Sequence, residues 1–317
     1  MVSAATVGPT PAPSPTPTSA PTSAPAAPRR QPRPQVRAGS TAEAWSLVST
    51  WFALLAVVCL WLVVQLPFLS VLSHNRAQAL LYPQLRTDLA SATAPTGGVI
   101  TPGTPVSLLT IPTIGLRQVV VEGTTGTVLR AGPGHLASTV LPGQSGISVV
   151  MGRASTYGAP FGSITKLHPG DEAVVQMSQG RVVYRVQDVR HAGDPVPAAV
   201  TGAQSRLTLV TAEGSGALAW LRPTTAVYVD AVATKGFQPG GGQPASVDAG
   251  QLPMGTDSSA LPVLALCLAL LLGAAYVVTV AWHRFSHALV WVVASPVVLT
   301  LAWFTTDTTA RLLPNLM

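Results

Sequence analysis

Charge is what this chain most lacks. Only 9% of its 317 residues are Asp, Glu, Lys or Arg, against roughly 25% in an ordinary soluble domain. So few charges exclude a chain that is water-exposed throughout, and they point to segments lying in lipid. Lysine is nearly missing, since only Lys166 and Lys235 accompany the arginines. The formal net charge of +6 is spread thinly, and no segment is basic enough to serve a nucleic acid. Cysteine is equally scarce. Cys59 and Cys267 are the only two, and each sits inside a long apolar run, where a thiol behaves as a small hydrophobe. The region between those runs has no cysteine, which excludes a disulfide, a Cys-ligated zinc site and a thiolate nucleophile there.

What is present is a mosaic. Residues 1–44 begin with a Pro-, Ser-, Thr- and Ala-rich stretch holding ten prolines by position 34; such a composition cannot bury a core and predicts a disordered tail. Residues 45–72 (WSLVSTWFALLAVVCLWLVVQLPFLSVL) carry no charge and are long enough to cross the ~30 Å hydrocarbon core as a helix. Arg29, Arg30, Arg33 and Arg37 precede this run, so its N-terminus is expected in the cytoplasm. Two further spans, 259–282 and 288–306, are joined by the basic connection 283–287, which predicts an antiparallel hairpin with its tip in the cytoplasm and 307–317 as a C-terminal tail outside. Ala269 and Gly273 in the first of these form a small-x-x-x-small pair that lets a helix partner approach. Residues 73–104 read as a stalk and 234–258 as a Gly/Pro linker.

Between them, 105–233 alternates short β-rich runs with turn signals. The runs are Val106–Ile111, Gln118–Val121, Ile147–Met151, Glu172–Gln176, Arg181–Val189, Arg206–Thr211 and Thr225–Val232; Gly and Pro punctuate them. That pattern predicts an all-β sandwich or barrel. No cofactor motif is visible. His283 and His287 are spaced as a metal pair, but they fall in a basic loop at the headgroups and no carboxylate lies near enough in sequence to complete a site. No metal or cofactor is expected.

The motifs of this region carry a resemblance. LLTIPTIGLRQVVVEGT (108–124), LRAGPGHLASTVLPGQSGISVVMGRASTYGAPFGSITKLHPGDEAVV (129–175), LTLVTAEG (207–214) and LRP (221–223) are similar, in order and spacing, to those of the sortase family, in its class E-like, actinobacterial form. The resemblance implies an extracytoplasmic sortase-like β-barrel, here with three transmembrane α-helices, in the cytoplasmic membrane of a Gram-positive bacterium. It also implies a chemistry: active sortases are transpeptidases that cleave a cell-wall sorting signal through a thioester, with a Cys, a His and an Arg.

Carried over residue by residue, the resemblance puts Arg153 at the His position, Ala212 at the Cys position and Arg222 at the retained Arg. A methyl group cannot attack a carbonyl, and a guanidinium keeps its proton and cannot act as a base. The resemblance thus implies a degenerate, non-enzymatic member acting as a binding or assembly partner. Its ligand would be a peptide or surface protein, its partner another membrane protein or an active sortase. Arg153, Thr211, Ala212, Arg222 and His135 are the groove candidates. Two readings of Arg153 stay open: with Arg222 it binds a carboxylate or acidic peptide, or it has drifted and reaches solvent. An alternative is a residual hydrolase using Thr211 or Ser215 with His135, which needs a base beside the hydroxyl. His135 itself reads as a structural hydrogen-bonding residue.

Overall fold

Strands form where apolar residues alternate with polar ones or where both faces are covered. In β6 (Gly180–His191), Val182, Tyr184 and Val186 are buried, while Arg181, Val183 and Arg185 face out, the period-two pattern of a strand with one wet face. In β7 (Ser205–Gly214) the first eight residues are all buried. The others are β1 (Pro105–Ile111), β2 (Leu116–Glu122), β3 (Gly134–His135), β4 (Gly146–Met151), β5 (Glu172–Met177) and β8 (Pro223–Ala233). They close into a barrel in the order β1-β2-β3-β4-β7-β8-β6-β5, parallel at β2/β3 and β4/β7 and otherwise antiparallel. Closure leaves no sheet edge. All seven expected strands are present; β3, two residues long, is the addition.

The computed structural model describes residues 70–214, 223–256, 258–282 and 284–317, together with Gly8, Ser49 and isolated positions between 52 and 65. The expected tail 1–44 and most of the expected span 45–72 lie outside the described residues, as do Ser215, Arg222 and His283. Within the unit Thr50–Met317, the barrel core is built from residues such as Leu109, Ile111, Val150, Phe161, Val175, Leu207, Leu209 and Val229, none more than 1% exposed. Among the described residues two helices are long and apolar enough to cross a membrane, not three. These are α2 (Leu261–Trp282) and α3 (His287–Leu312). Large apolar side chains stay exposed along both, Leu266, Val277, Trp291 and Phe304 among them. Ala269 and Gly273 are exposed too, and a Cβ on Gly273 would meet nothing; the small pair is not part of a close α2–α3 contact.

Two elements extend what the sequence predicts. Residues 73–104 contain most of α1 (Ser70–Ala90), which lies on the barrel: Gln78 donates to the Val119 and Ala131 carbonyls and accepts from the Val119 N–H. The helix α3 does not stop near Thr306 but runs on to Leu312. Its threonine-rich end holds its hydroxyls on carbonyls four residues back, as Thr305 on Leu301 and Thr309 on Thr305. The last turns then meet the barrel, where Asp307 pairs with Arg130 and Ala310 packs on Tyr157.

Candidate functional site

The site lies where β4 and β7 run parallel. Met151 stands opposite Val210, the Gly152 N–H donates to the Val210 carbonyl at 3.0 Å, and the Thr211 hydroxyl donates to the Gly152 carbonyl at 3.2 Å. Arg153 therefore follows β4 beside Ala212, which is still paired with Ala226 near the end of β7. Beside them opens a cavity of about 230 Å³ lined by Ala154, Ser155, Phe161, Thr211, Ala212 and Glu213, with other small residues. Thr211 and Ala212 are buried at its floor.

Arg153 does not reach solvent. It is 0% exposed. One guanidinium nitrogen donates to the Thr156 hydroxyl and the Met317 main-chain oxygen, both at 3.0 Å, and the other to the Gly126 carbonyl at 2.8 Å. The guanidinium sits 4.9 Å from the centre of the Tyr157 ring. Burial pulls its pKa down to about 10, with the Tyr157 hydroxyl opposing that shift and the Arg130 charge adding to it. At neutral pH it is still a cation. The drift reading, in which Arg153 points into water, is corrected: its acceptors come from loops and from a segment 164 residues away.

That segment is Leu313–Met317. Leu313 precedes Pro314 and adopts an extended conformation (φ −76, ψ 151), as a residue before proline must; this ends α3 and turns the chain onto the barrel. Leu316 is fully buried with Leu129, Met151, Val210, Ala212 and Ala226. The Leu316 carbonyl accepts from the Ala154 N–H at 2.8 Å. Asn315 donates from its amide side chain to the Gly250 carbonyl at 2.5 Å, and its N–H reaches Gly255 at 3.0 Å. The linker 234–258 is thereby tied down, with Thr124 also donating to the Gln251 carbonyl.

His135 is held inside the structure, not in the groove. Its Nδ1 lies 2.8 Å from Glu122 Oε2 and its Nε2 lies 2.9 Å from the Val140 carbonyl, with the Thr139 hydroxyl at 3.1 Å. No hydrogen bond joins it to Thr211. Among the described residues there is no cluster of His, Cys, Asp and Glu able to hold a metal. Cys267 lies in α2, away from the barrel strands. Arg222, expected near Arg153, lies outside the described residues.

The loop after Arg153 is tightly bent. Tyr157 (φ 50), Gly158 (φ 77) and Ala159 (φ 43) are consecutive left-handed residues, a conformation that disfavours all but glycine. A Cβ on Gly158 would come within 2.8 Å of the His74 ring, so α1 supports this loop directly. His74 is buried, with its ring nitrogens 3.3 Å from the Arg130 carbonyl and 3.0 Å from the Gln118 side-chain oxygen. Burial lowers its pKa below the ordinary 6.5, against the two hydrogen bonds. A depressed imidazole pKa means that the folded chain binds a proton less readily than the unfolded one, so this stability is complete above pH 6.5 and falls as pH drops below it. We therefore expect the melting temperature to fall between pH 7.5 and 5.5 by more in the wild type than in His74→Gln. Parallel profiles for the two would contradict this assignment.

Comparison with known proteins agrees with the barrel. The sortase domain family model matches residues 109–217. Sortase E from Streptomyces avermitilis is 30% identical over 44% of this chain and 93% of its own, with a TM-score of 0.35; its T196V mutant gives 31%, the same coverage and 0.36. The sortase D5 transpeptidase of Clostridium perfringens is 20% identical over 50% of this chain and 98% of its own, with a TM-score of 0.41. No curated protein matches. Residues 109–217 of this chain therefore form a sortase domain.

Proposed function

We propose that this protein is a membrane-anchored, non-catalytic sortase-like protein whose barrel binds and assembles partners at the outer face of the cytoplasmic membrane. The observation that carries the reading is the pair at the ends of β4 and β7. Ala212 stands where the family resemblance calls for the nucleophile, and Arg153 where it calls for the His. Ala212 offers only a methyl group, and no cysteine occurs between residues 60 and 266. Arg153 is a cation fixed to main-chain oxygens, and no proton can be taken up by it. Groups of such a site act as a unit, so losing two removes covalent catalysis.

Membrane anchoring draws support from α2 and α3, which are 22 and 26 residues long and so reach about 30–40 Å at 1.5 Å per residue, enough for the hydrocarbon core. The end of α3 that meets the barrel is opposite the basic connection 283–287, in keeping with a cytoplasmic hairpin tip and a barrel outside. The span 45–72 completes the proposed three-helix, multi-pass anchor with a cytoplasmic N-terminus. A residual Thr211-based hydrolase has less in its favour: Thr211 gives its hydroxyl to a backbone carbonyl and His135 is engaged by Glu122, so nothing here activates the hydroxyl.

The reading is tested by returning the two groups. Detergent-solubilised Ala212→Cys/Arg153→His, incubated with a sorting-signal peptide, is expected to gain a thioester mass adduct that the wild type lacks. An adduct on the wild type would overturn the proposal.

A further inference from the structure

The segment Leu313–Met317 is bound as a peptide ligand is bound. Its main chain is held at two consecutive oxygens, Leu316 by the Ala154 N–H and Met317 by Arg153 and the Thr156 hydroxyl at 2.5 Å. Those contacts are blind to sequence. Two side chains supply selectivity: Leu316 fills an apolar pocket that includes Ala212, and Asn315 is read by the Gly250 and Leu252 carbonyls. Pro314 sets the extended entry. The receptor side is equally specialised. Among the described residues no Asp or Glu pairs with Arg153, and its Nε has no partner. A buried guanidinium is costly unless acceptors surround it, and this one draws part of its acceptor set from the segment.

We propose that Leu313–Met317 is the resident, exchangeable peptide ligand of a site formed by Gly126, Arg153, Ala154, Thr156 and residues 250–255, and that an external extended peptide enters beside Ala212 only when this segment leaves. The ligand class follows from the contacts: an extended chain with proline, then an amide side chain, then a bulky apolar residue. The proposal rests on reading the groove as a binding surface. Because the segment continues α3, occupancy of the barrel is coupled to the position of the membrane hairpin. A tethered ligand acts at an effective concentration on the order of millimolar, so a free peptide of micromolar affinity competes poorly against it.

The test uses a fluorescein-labelled peptide with the sequence of residues 309–317 (TARLLPNLM) and the full chain in detergent. Binding is read by anisotropy for the wild type, for a chain lacking Leu313–Met317, and for full-length Leu316→Asp, which ejects the segment without shortening the protein. Cooperative melting qualifies each variant. Both emptied variants are expected to bind at least about tenfold more tightly than the wild type, and the same peptide carrying Leu316→Asp is expected not to bind. Equal affinity across wild type and variants, or no binding by a cooperatively melting variant, would overturn the proposal. Product formation is followed separately, so a groove that turns peptide over would refute the non-catalytic reading without touching this one.

Discussion

Glu122→Ala is expected to cost about 2–4 kcal/mol of stability, combining a lost buried hydrogen bond with the cavity left behind. Glu122 and His135 are 3% and 1% exposed, and they stand opposite each other where β2 and β3 run parallel. The carboxylate leaves His135 Nδ1 without an acceptor when it goes, at a place water cannot reach. The consequence extends to the site. The loop between β2 and β3 carries Gly126, whose carbonyl accepts from Arg153, and the pair pins both ends of that loop. Glu122→Gln keeps the shape and one acceptor oxygen, and is expected to lose only about 1–2 kcal/mol. Urea unfolding of the solubilised chain reads both; an alanine variant within about 0.5 kcal/mol of wild type, the range of a neutral surface change, would contradict this role.

Arg153→Ala is expected to lose about 2–4 kcal/mol, combining a cavity with buried acceptors left unmet. The acceptors are the Gly126 and Met317 main-chain oxygens, both hydrogen-bonded to this guanidinium. Arg153→Met separates the two contributions. It fills much of the volume and removes the cost of burying a cation, and such replacements are often close to neutral. The expected order of stability is therefore wild type, then Met, then Ala, with peptide release from the 313–317 site in both variants. Equal stability of all three in urea would mean that the buried guanidinium organises nothing around it.

The barrel was legible in the sequence because its strands obey simple rules. Val182, Tyr184 and Val186 alternate with Arg181, Val183 and Arg185, and turns fall at Gly and Pro. Gly134–His135 carries no strand signal, because two residues have no period. The sequence of α1 reads as a stalk because its polar residues look solvated; Gln78 and His74, one turn apart, instead satisfy barrel backbone and side-chain groups. Arg153 and Ala212 could be named from motif order alone, since parallel pairing of β4 with β7 fixes them side by side. The burial of Arg153 could not. It depends on an acceptor 164 residues away, carried there by a helix whose threonine-rich end resembled a departing tail. Pro314 was the available signal, since it ends α3 and straightens Leu313, but nothing local says where the straightened chain docks.

A barrel that binds without performing covalent chemistry shows no turnover in the wild-type protein. The solubilised full chain is incubated with a sorting-signal peptide and an amine acceptor, and products are quantified by mass spectrometry against buffer and against Thr211→Ala. Neither protein is expected to give hydrolysis or transfer product above buffer. Product from the wild type that disappears in Thr211→Ala would contradict it.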